Sequence, residues 1–360
     1  MSVKAAEKSE TKGQESTTKT DVERAKMLAQ FTLSINKKYG ANTVIVGGSE
    51  ANLSIPRVSS GSPEIDDILG GGFPKGRIVE IYGPEASGKS TICFSTMAAL
   101  QKKGGMIGYV DTEHAIDESY LNKLGVDLKK VAFSQPSSAE EALSIVENMV
   151  DSKLFDLIVL DSVAALVPQS EIDGEMGDAS MGKAARLMGQ ALRKLTGKVS
   201  ESGTVLVFIN QLRMKIGVMY GNPETTTGGN ALKFFASVRL DVRRKESIKD
   251  GENVIGQKMT VKTAKIKVAQ PFKTAEVSLI YGLGFDQITG VYDEAVAKGI
   301  LVKIGGNHYW KGDKNQKLAS KRSEMIERLK ADPELLEEVK KLNAITKVGD
   351  ATTKAGEDAG

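Results

Sequence analysis

Cysteine, histidine and aromatic residues are scarce in this chain: one cysteine, two histidines and 5% aromatics among 360 residues. A lone thiol, Cys93, closes no intramolecular disulfide and builds no cysteine-rich metal centre. It stands in an apolar helical stretch, where a small buried hydrophobe is the ordinary role. No apolar run approaches the roughly 20 residues that cross a bilayer. The opening MSVKAAEKSETKGQESTTKTD has no apolar signal-peptide segment, so a cytoplasmic protein without membrane attachment is expected. Charge of one sign is missing too, since 49 basic and 46 acidic residues leave a net +3. That balance does not announce a nucleic-acid partner, so any such case rests on local clusters.

What is present is enough apolar sequence, 40% of the chain, for one large core and a small second domain. Residues 1–20, rich in Lys, Glu, Ser and Thr, are expected to be a disordered tail. From Asp21 the spacing of Val22, Ala25, Met27, Leu28, Phe31, Leu33 and Ile35 predicts a helix ending near Gly40, and 21–53 is expected to be an oligomerisation segment. RIVEIY (77–82), MIGYVD (106–111), FDLIVLD (155–161) and TVLVFIN (204–210) are continuous apolar runs, the mark of strands buried on both faces of a parallel sheet. ASVRLDVRR, KMTVKTAKIK and AEVSLIYG then alternate in the manner of antiparallel strands that extend the sheet. The fold class expected is therefore α/β, with the core spanning 54–286. Helical patterns return from Gln287, where Asp332 and Pro333 form a cap and first turn, so 287–345 is expected to be a small α+β C-terminal domain. Residues 346–360 are expected to be a second disordered tail.

Gly83-Pro84-Glu85-Ala86-Ser87-Gly88-Lys89-Ser90 matches the phosphate-loop pattern G-x-x-x-x-G-K-[ST], between a strand and the helix opening at Thr91. Backbone N–H groups curl around the phosphates, Lys89 supplies a point charge and Ser90 offers a hydroxyl to Mg²⁺, so ATP and Mg²⁺ are the expected ligands. Asp161, at the end of LIVLD, is placed to hold the water shell of that Mg²⁺. Glu113, just past the strand end at Asp111, is placed either as the base for an attacking water or as a solvated loop charge. Gln211 follows TVLVFIN at another strand end, within reach of a terminal phosphate.

RIVEIYGPEASGKST, DTEHAID, DSVAALVP, FINQLRMKIGVMYGNPETTTGGNALKFFASVRLDVRR and KIKVAQPFK occur in this order, and over about residues 50–340 the chain resembles the bacterial RecA-type recombinases. The resemblance implies a RecA-type ATPase core, single-stranded DNA as partner and a helical filament in which ATP lies between protomers. It makes Glu113 the base and Gln211 the link from the γ-phosphate to the following DNA loop. Lys265 and Lys267 would reach the phosphates held by the next protomer, in the manner of arginine fingers. Asp117 and Tyr120 would contact adenine, and Phe234 would pack into the neighbouring protomer. A LexA-type repressor is a further partner of the family. Ser90 stands where the family pattern has Thr, and Ile266 where it has a polar residue.

The loop 212–229 carries Arg213, Met214, Lys215, Ile216, Gly228 and Gly229, and it reads as a long structureless segment rich in Gly and Thr. By resemblance it is the second DNA-binding loop, with Ile216 inserted between bases. The first corresponds to 171–182, acidic except for its end at Met181. The cations come from the next helix, where Lys183, Arg186, Gln190 and Arg193 share one face and no acid occurs over 183–198. A solvated basic face is the ordinary explanation of such a helix. Lys298, Lys303, Lys311, Lys314, Lys317, Lys321 and Arg322 form a further cluster, expected to capture double-stranded DNA. A ring helicase lacks the loop 212–229 and the small C-terminal domain, and a small-molecule kinase needs an acceptor pocket and lid for which no segment is found.

Overall fold

A computed structural model describes residues 3–40, 43–46, 55–175, 182–214, 221, 223–250, 252–310, 313 and 315–345. The chain divides into two units, Met1–Ile55 and Pro56–Gly360. In the first, one helix runs from Val3 to Tyr39. It begins well upstream of Asp21, in a stretch whose Lys, Glu, Ala and Gln have high helix propensity. The Asn36 side chain donates to the carbonyl of Val44 (2.9 Å) and accepts from its N–H (2.8 Å), closing the turn after it.

The second unit is built on one large sheet. Across it run Gly284–Phe285, Thr274–Ile280, Asn253–Ile266, Val238–Asp250, Arg77–Gly83, Val205–Met214, Leu157–Asp161, Ile107–Asp111 and Val131–Ser134. The six from Val238–Asp250 to Val131–Ser134 pair in parallel, and the first three extend the sheet antiparallel. The apolar runs divide between the two faces as the strand period demands. Val79, Ile81, Leu157, Val159, Val207 and Ile209 join the core under the phosphate-loop helix Lys89–Gln101, with Ile92 and Met97. Ile78, Ile158, Leu160, Leu206 and Phe208 join the opposite core with Val146 and Leu192, from the helices Ala139–Asp151 and Lys183–Ser202. The edge strand Val131–Ser134 was not expected: it is short, and half of its residues are exposed.

Past Asp286 a third core gathers Val291, Tyr292, Leu301, Met325, Leu329 and Val339. Its strands Leu301–Ile304, Asn307–Trp310 and Lys317–Ala319 form a separate antiparallel sheet, and no sequence pattern located them individually. Asp332 caps the final helix Pro333–Ile345 by accepting from the N–H of Leu335 (3.0 Å).

Candidate nucleotide site and nucleic-acid interface

The strand Arg77–Gly83 delivers the chain to the loop Gly83–Ser90, and Gly88 at φ 96° turns it into the helix, a conformation that a Cβ disfavours. Lys89 is buried and donates to the carbonyl of Pro84 (2.7 Å). Burial lowers its pKa, while Asp161, Glu113 and Glu85 oppose the shift. The Ser90 hydroxyl donates to Asp161 Oδ2 (2.8 Å), and the buried Tyr109 hydroxyl donates to the same oxygen (2.8 Å). Burial raises Asp161 from 3.8 to about 6, against these two hydrogen bonds and with help from the charges of Glu113 and Asp111. A hard hydroxyl and a carboxylate costly to ionise suit a hard cation with its waters, which fits Mg²⁺. Among the described residues no group of three or more His, Cys, Asp or Glu could hold a metal ion.

Glu113 lies within this cluster. Its Oε1 accepts from the Ser162 hydroxyl (2.5 Å) and from Gln211 Nε2 (3.1 Å). The turn carrying it is organised by the buried carboxylate of Asp111, which accepts from the N–H of Glu113 (3.1 Å), the N–H of Ala115 (3.1 Å) and Gln135 Nε2 (3.1 Å). His114, next in the chain, takes a left-handed φ of 53°. Sequence reading passed over Asp111, Ser162 and Tyr109. A buried tyrosine in a strand needs a hydroxyl partner, which was the available signal.

Gln211 is tied to the loop that leaves it. The neighbouring Asn210, fully buried, donates to Glu80 Oε1 (2.9 Å) and to the carbonyl of Thr227 (3.1 Å), and the Thr227 hydroxyl donates back to Asn210 Oδ1. Glu80, also fully buried, pairs with Arg239 Nε (2.5 Å), whose guanidinium lies 4.5 Å from the centre of the Tyr82 ring. Thr227 stands at the returning end of the loop 212–229. That segment is not structureless at its base: Glu224–Thr226 pairs antiparallel with Leu212, Arg213 and Met214, and Arg243 grips Glu224 through two 2.7 Å bonds. The β-branched run of threonines favours this ribbon. Arg213 and Met214 are exposed at its tip. Gly228 and Gly229, both at φ 75°, bring the base of the loop onto its neighbours: a Cβ would fall 2.7 Å from Val163 and 2.9 Å from Ala185. The base therefore abuts the start of the basic helix.

On that helix Lys183, Arg186, Gln190 and Arg193 are all exposed. Lys198 pairs with Glu147 (2.7 Å) and Asp151 (2.6 Å), and Lys194 reaches Glu147 at 3.9 Å, so these two cations dock the helix on its neighbour. No such pair ties down Lys183, Arg186 or Arg193 among the described residues. Met181, Lys215 and Ile216 lie outside the described residues, as do Lys311 and Lys314.

Asp117 caps the helix Glu118–Lys123, accepting from the N–H of Ser119 (2.7 Å), and the half-buried Tyr120 meets Phe94 of the phosphate-loop helix edge to face at 6.3 Å. The partly exposed Tyr281, which sequence reading did not single out, reaches Gln257 (3.4 Å), whose amide donates to the carbonyl of Ala86 (3.1 Å). Lys265 is brought against Phe234: its ammonium donates to the carbonyls of Lys233 (2.7 Å) and Phe234 (3.0 Å). Burial lowers its pKa first, and Lys267 and Arg239 add to the shift. Lys267 is exposed, and Ile266 between them faces the core.

The family model of the RecA N-terminal domain matches residues 26–286. The chain belongs to the RecA family. It is 52% identical over 333 residues to Protein RecA of Chloroherpeton thalassium, covering 92% of each chain. It is 50% identical over 317 residues to Protein RecA 1 of Myxococcus xanthus, covering 88% of this chain and 92% of that one. With Protein RecA of Nostoc punctiforme the identity is 47% over 319 residues, covering 89% and 88%. As a RecA-family protein the chain is a DNA-dependent ATPase of the phosphate-loop type, a recombinase that forms filaments on single-stranded DNA and catalyses strand exchange in repair. Among the described residues no helix is long and apolar enough to cross a membrane.

Proposed function

We propose that Glu113 is the base that takes a proton from the water attacking the γ-phosphate of ATP, and that Gln211 transmits the state of that phosphate to the DNA loop. The observation that carries this is the convergence of Ser162 and Gln211 on one oxygen of Glu113. The other carboxylate oxygen is offered to water, and the Gln211 backbone N–H donates to Asn210 Oδ1 (2.9 Å), the atom that also accepts from the Thr227 hydroxyl, so a shift of Gln211 is passed to the returning end of the loop. Gly83–Thr91 cradles the phosphates, Lys89 neutralises their charge, and Asp117 and Tyr120 flank the adenine, with Tyr281 at the rim. Ser90, with Asp161 through water, would hold Mg²⁺, which when bound offsets charge on the β and γ oxygens.

Arg186, Arg193, Arg213, Met214, Gly228 and Gly229, together with Met181, Lys215 and Ile216, form the single-stranded DNA surface of this reading. Lys265 and Lys267 act across the protomer boundary that Phe234 secures, so hydrolysis waits on assembly. In the C-terminal domain Lys303, Lys317 and Lys321 are the cations offered to double-stranded DNA, since Lys298 binds Glu294 and Arg322 binds Asp293. The reading extends to a cytoplasmic setting and to a LexA-type repressor as a partner in a DNA-damage response. The domain division it uses is 21–53 for oligomerisation, 54–286 for the ATPase and 287–345 for duplex capture.

The test is ATP turnover with and without single-stranded DNA, for wild type and Glu113→Gln, with the same samples imaged. DNA-stimulated turnover that falls at least about 100-fold in Glu113→Gln while filaments persist supports the proposal. DNA-independent turnover, or a Glu113→Gln protein that hydrolyses normally, rejects it.

A further inference from the structure

Arg57 spreads its guanidinium over three backbone carbonyls. Nη1 donates to Leu69 (2.8 Å) and Gly72 (3.2 Å), and Nη2 donates to Val268 (2.7 Å), 211 positions away in sequence. Val268 directly follows Lys267, at the point where the chain leaves the Asn253–Ile266 strand. The N–H of Lys267 donates to Ser237 (3.0 Å) and Ile266 is anchored in the core, so the strand is fixed as far as its end. Beyond that end the segment 268–273 runs over the turn at Gly70, where a Cβ would come 3.0 Å from Ala269, and Lys273 pairs with Asp67 at 3.5 Å. Arg57 is thus the hydrogen-bonded tie nearest to Lys267 on its exit side. A planar fork with donors on two separate nitrogens suits carbonyls of two separate segments, whereas a lysine has one nitrogen for the task.

We infer that Arg57 is a positioning residue for hydrolysis: by holding the Val268 carbonyl it sets where Lys267 projects toward the phosphates of the adjacent protomer. It touches neither nucleotide nor DNA in this role. The inference rests on the proposal that Lys265 and Lys267 act in trans. Its consequence is that loss of Arg57 damages the lysine donated to a neighbour and spares the phosphate loop and base of its own protomer.

Arg57→Ala and Arg57→Lys, each with its thermal transition recorded, are assayed for DNA-dependent turnover alone and after assembly with an equal amount of Glu113→Gln. Lys267→Ala is mixed with Glu113→Gln in the same way. Alone, both Arg57 variants are expected to lose about tenfold or more in turnover, since small misplacements of a catalytic group are costly. In the mixture an Arg57 variant receives an intact lysine strand from a Glu113→Gln neighbour at about a quarter of the head-to-tail interfaces, so turnover rises above that of the two proteins assayed separately. Arg57→Lys, which keeps the charge and most of the volume, provides the same readout if Arg57→Ala does not fold. Recovery with Lys267→Ala and none with either Arg57 variant overturns the inference. No recovery with Lys267→Ala overturns the trans reading itself, and this inference with it. Wild-type turnover of Arg57→Ala alone also rejects it.

Discussion

Asp161 carries its charge in a place where ionisation is costly. Its folded-state pKa of about 6 lies above the ordinary 3.8, so between those values the native protein holds a proton that the unfolded chain has released. Stability contributed by this group therefore falls as pH rises through that window and stays low above it. Asp161→Asn keeps the acceptor for Ser90 and Tyr109 and removes the charge. We expect it to stabilise the nucleotide-free protein at pH 7.5 by up to about 3 kcal/mol, with the gain shrinking toward pH 4. Denaturant unfolding of both proteins at the two pH values checks this, and a gain independent of pH contradicts it. The phosphate loop and Asp161 are legible in sequence because each belongs to a contiguous pattern, a glycine-framed loop or a strand end. Tyr109 and Ser162 belong to no such pattern, since their partners Asp161 and Glu113 come from other positions of the sheet order.

The basic helix Lys183–Ser202 divides its cations by function. Lys194 and Lys198 are spent on Glu147 and Asp151, whereas Arg186 and Arg193 remain on the exposed face that starts beside the base of the loop 212–229. Replacing Arg186 or Arg193 by Ala is expected to weaken single-stranded DNA binding and to reduce the slope of log affinity against log salt by about 1 each. Lys198→Ala is expected to leave that slope in place and to lower the melting temperature instead. Titrations at several salt concentrations with melting curves separate the two groups, and equal slopes for all three variants would remove the distinction. The one-sided charge was readable from the i, i+3, i+7, i+10 spacing. The identity of the cations consumed by packing was not, because it depends on the helix Ala139–Asp151 laid alongside. The ribbon at the base of the loop 212–229 was missed for a similar reason, as its two strands recognise one another only after the chain has turned back.

For the whole molecule, the proposed roles of Phe234 and Lys265, which the fold brings together, would make assembly and chemistry depend on each other. Phe234 is 73% exposed, so truncating it leaves no cavity in the protomer. Phe234→Ala is expected to keep the fold and nucleotide binding, to lose about 2 kcal/mol or more per protomer contact, and to lower DNA-dependent turnover as filaments shorten. Sedimentation with and without DNA, beside a melting curve, checks it, and full-length filaments with wild-type turnover would place the protomer contact elsewhere. At this scale the sequence by itself determined the α/β class, the parallel core with its antiparallel extension, the phosphate loop and the family, because apolar periodicity and contiguous motifs are local properties of the chain. Only the tertiary structure decided which side chains meet. Arg77–Gly83 lies between Val205–Met214 and Val238–Asp250, and that order is what joins Glu80 to Asn210 and Arg239. The same closure brings Gln211 to Glu113 and Arg57 to Val268. Hydrogen bonds act over about 3 Å, and which groups come that close is set by the order in which strands and helices pack, a property that no single stretch of the chain contains.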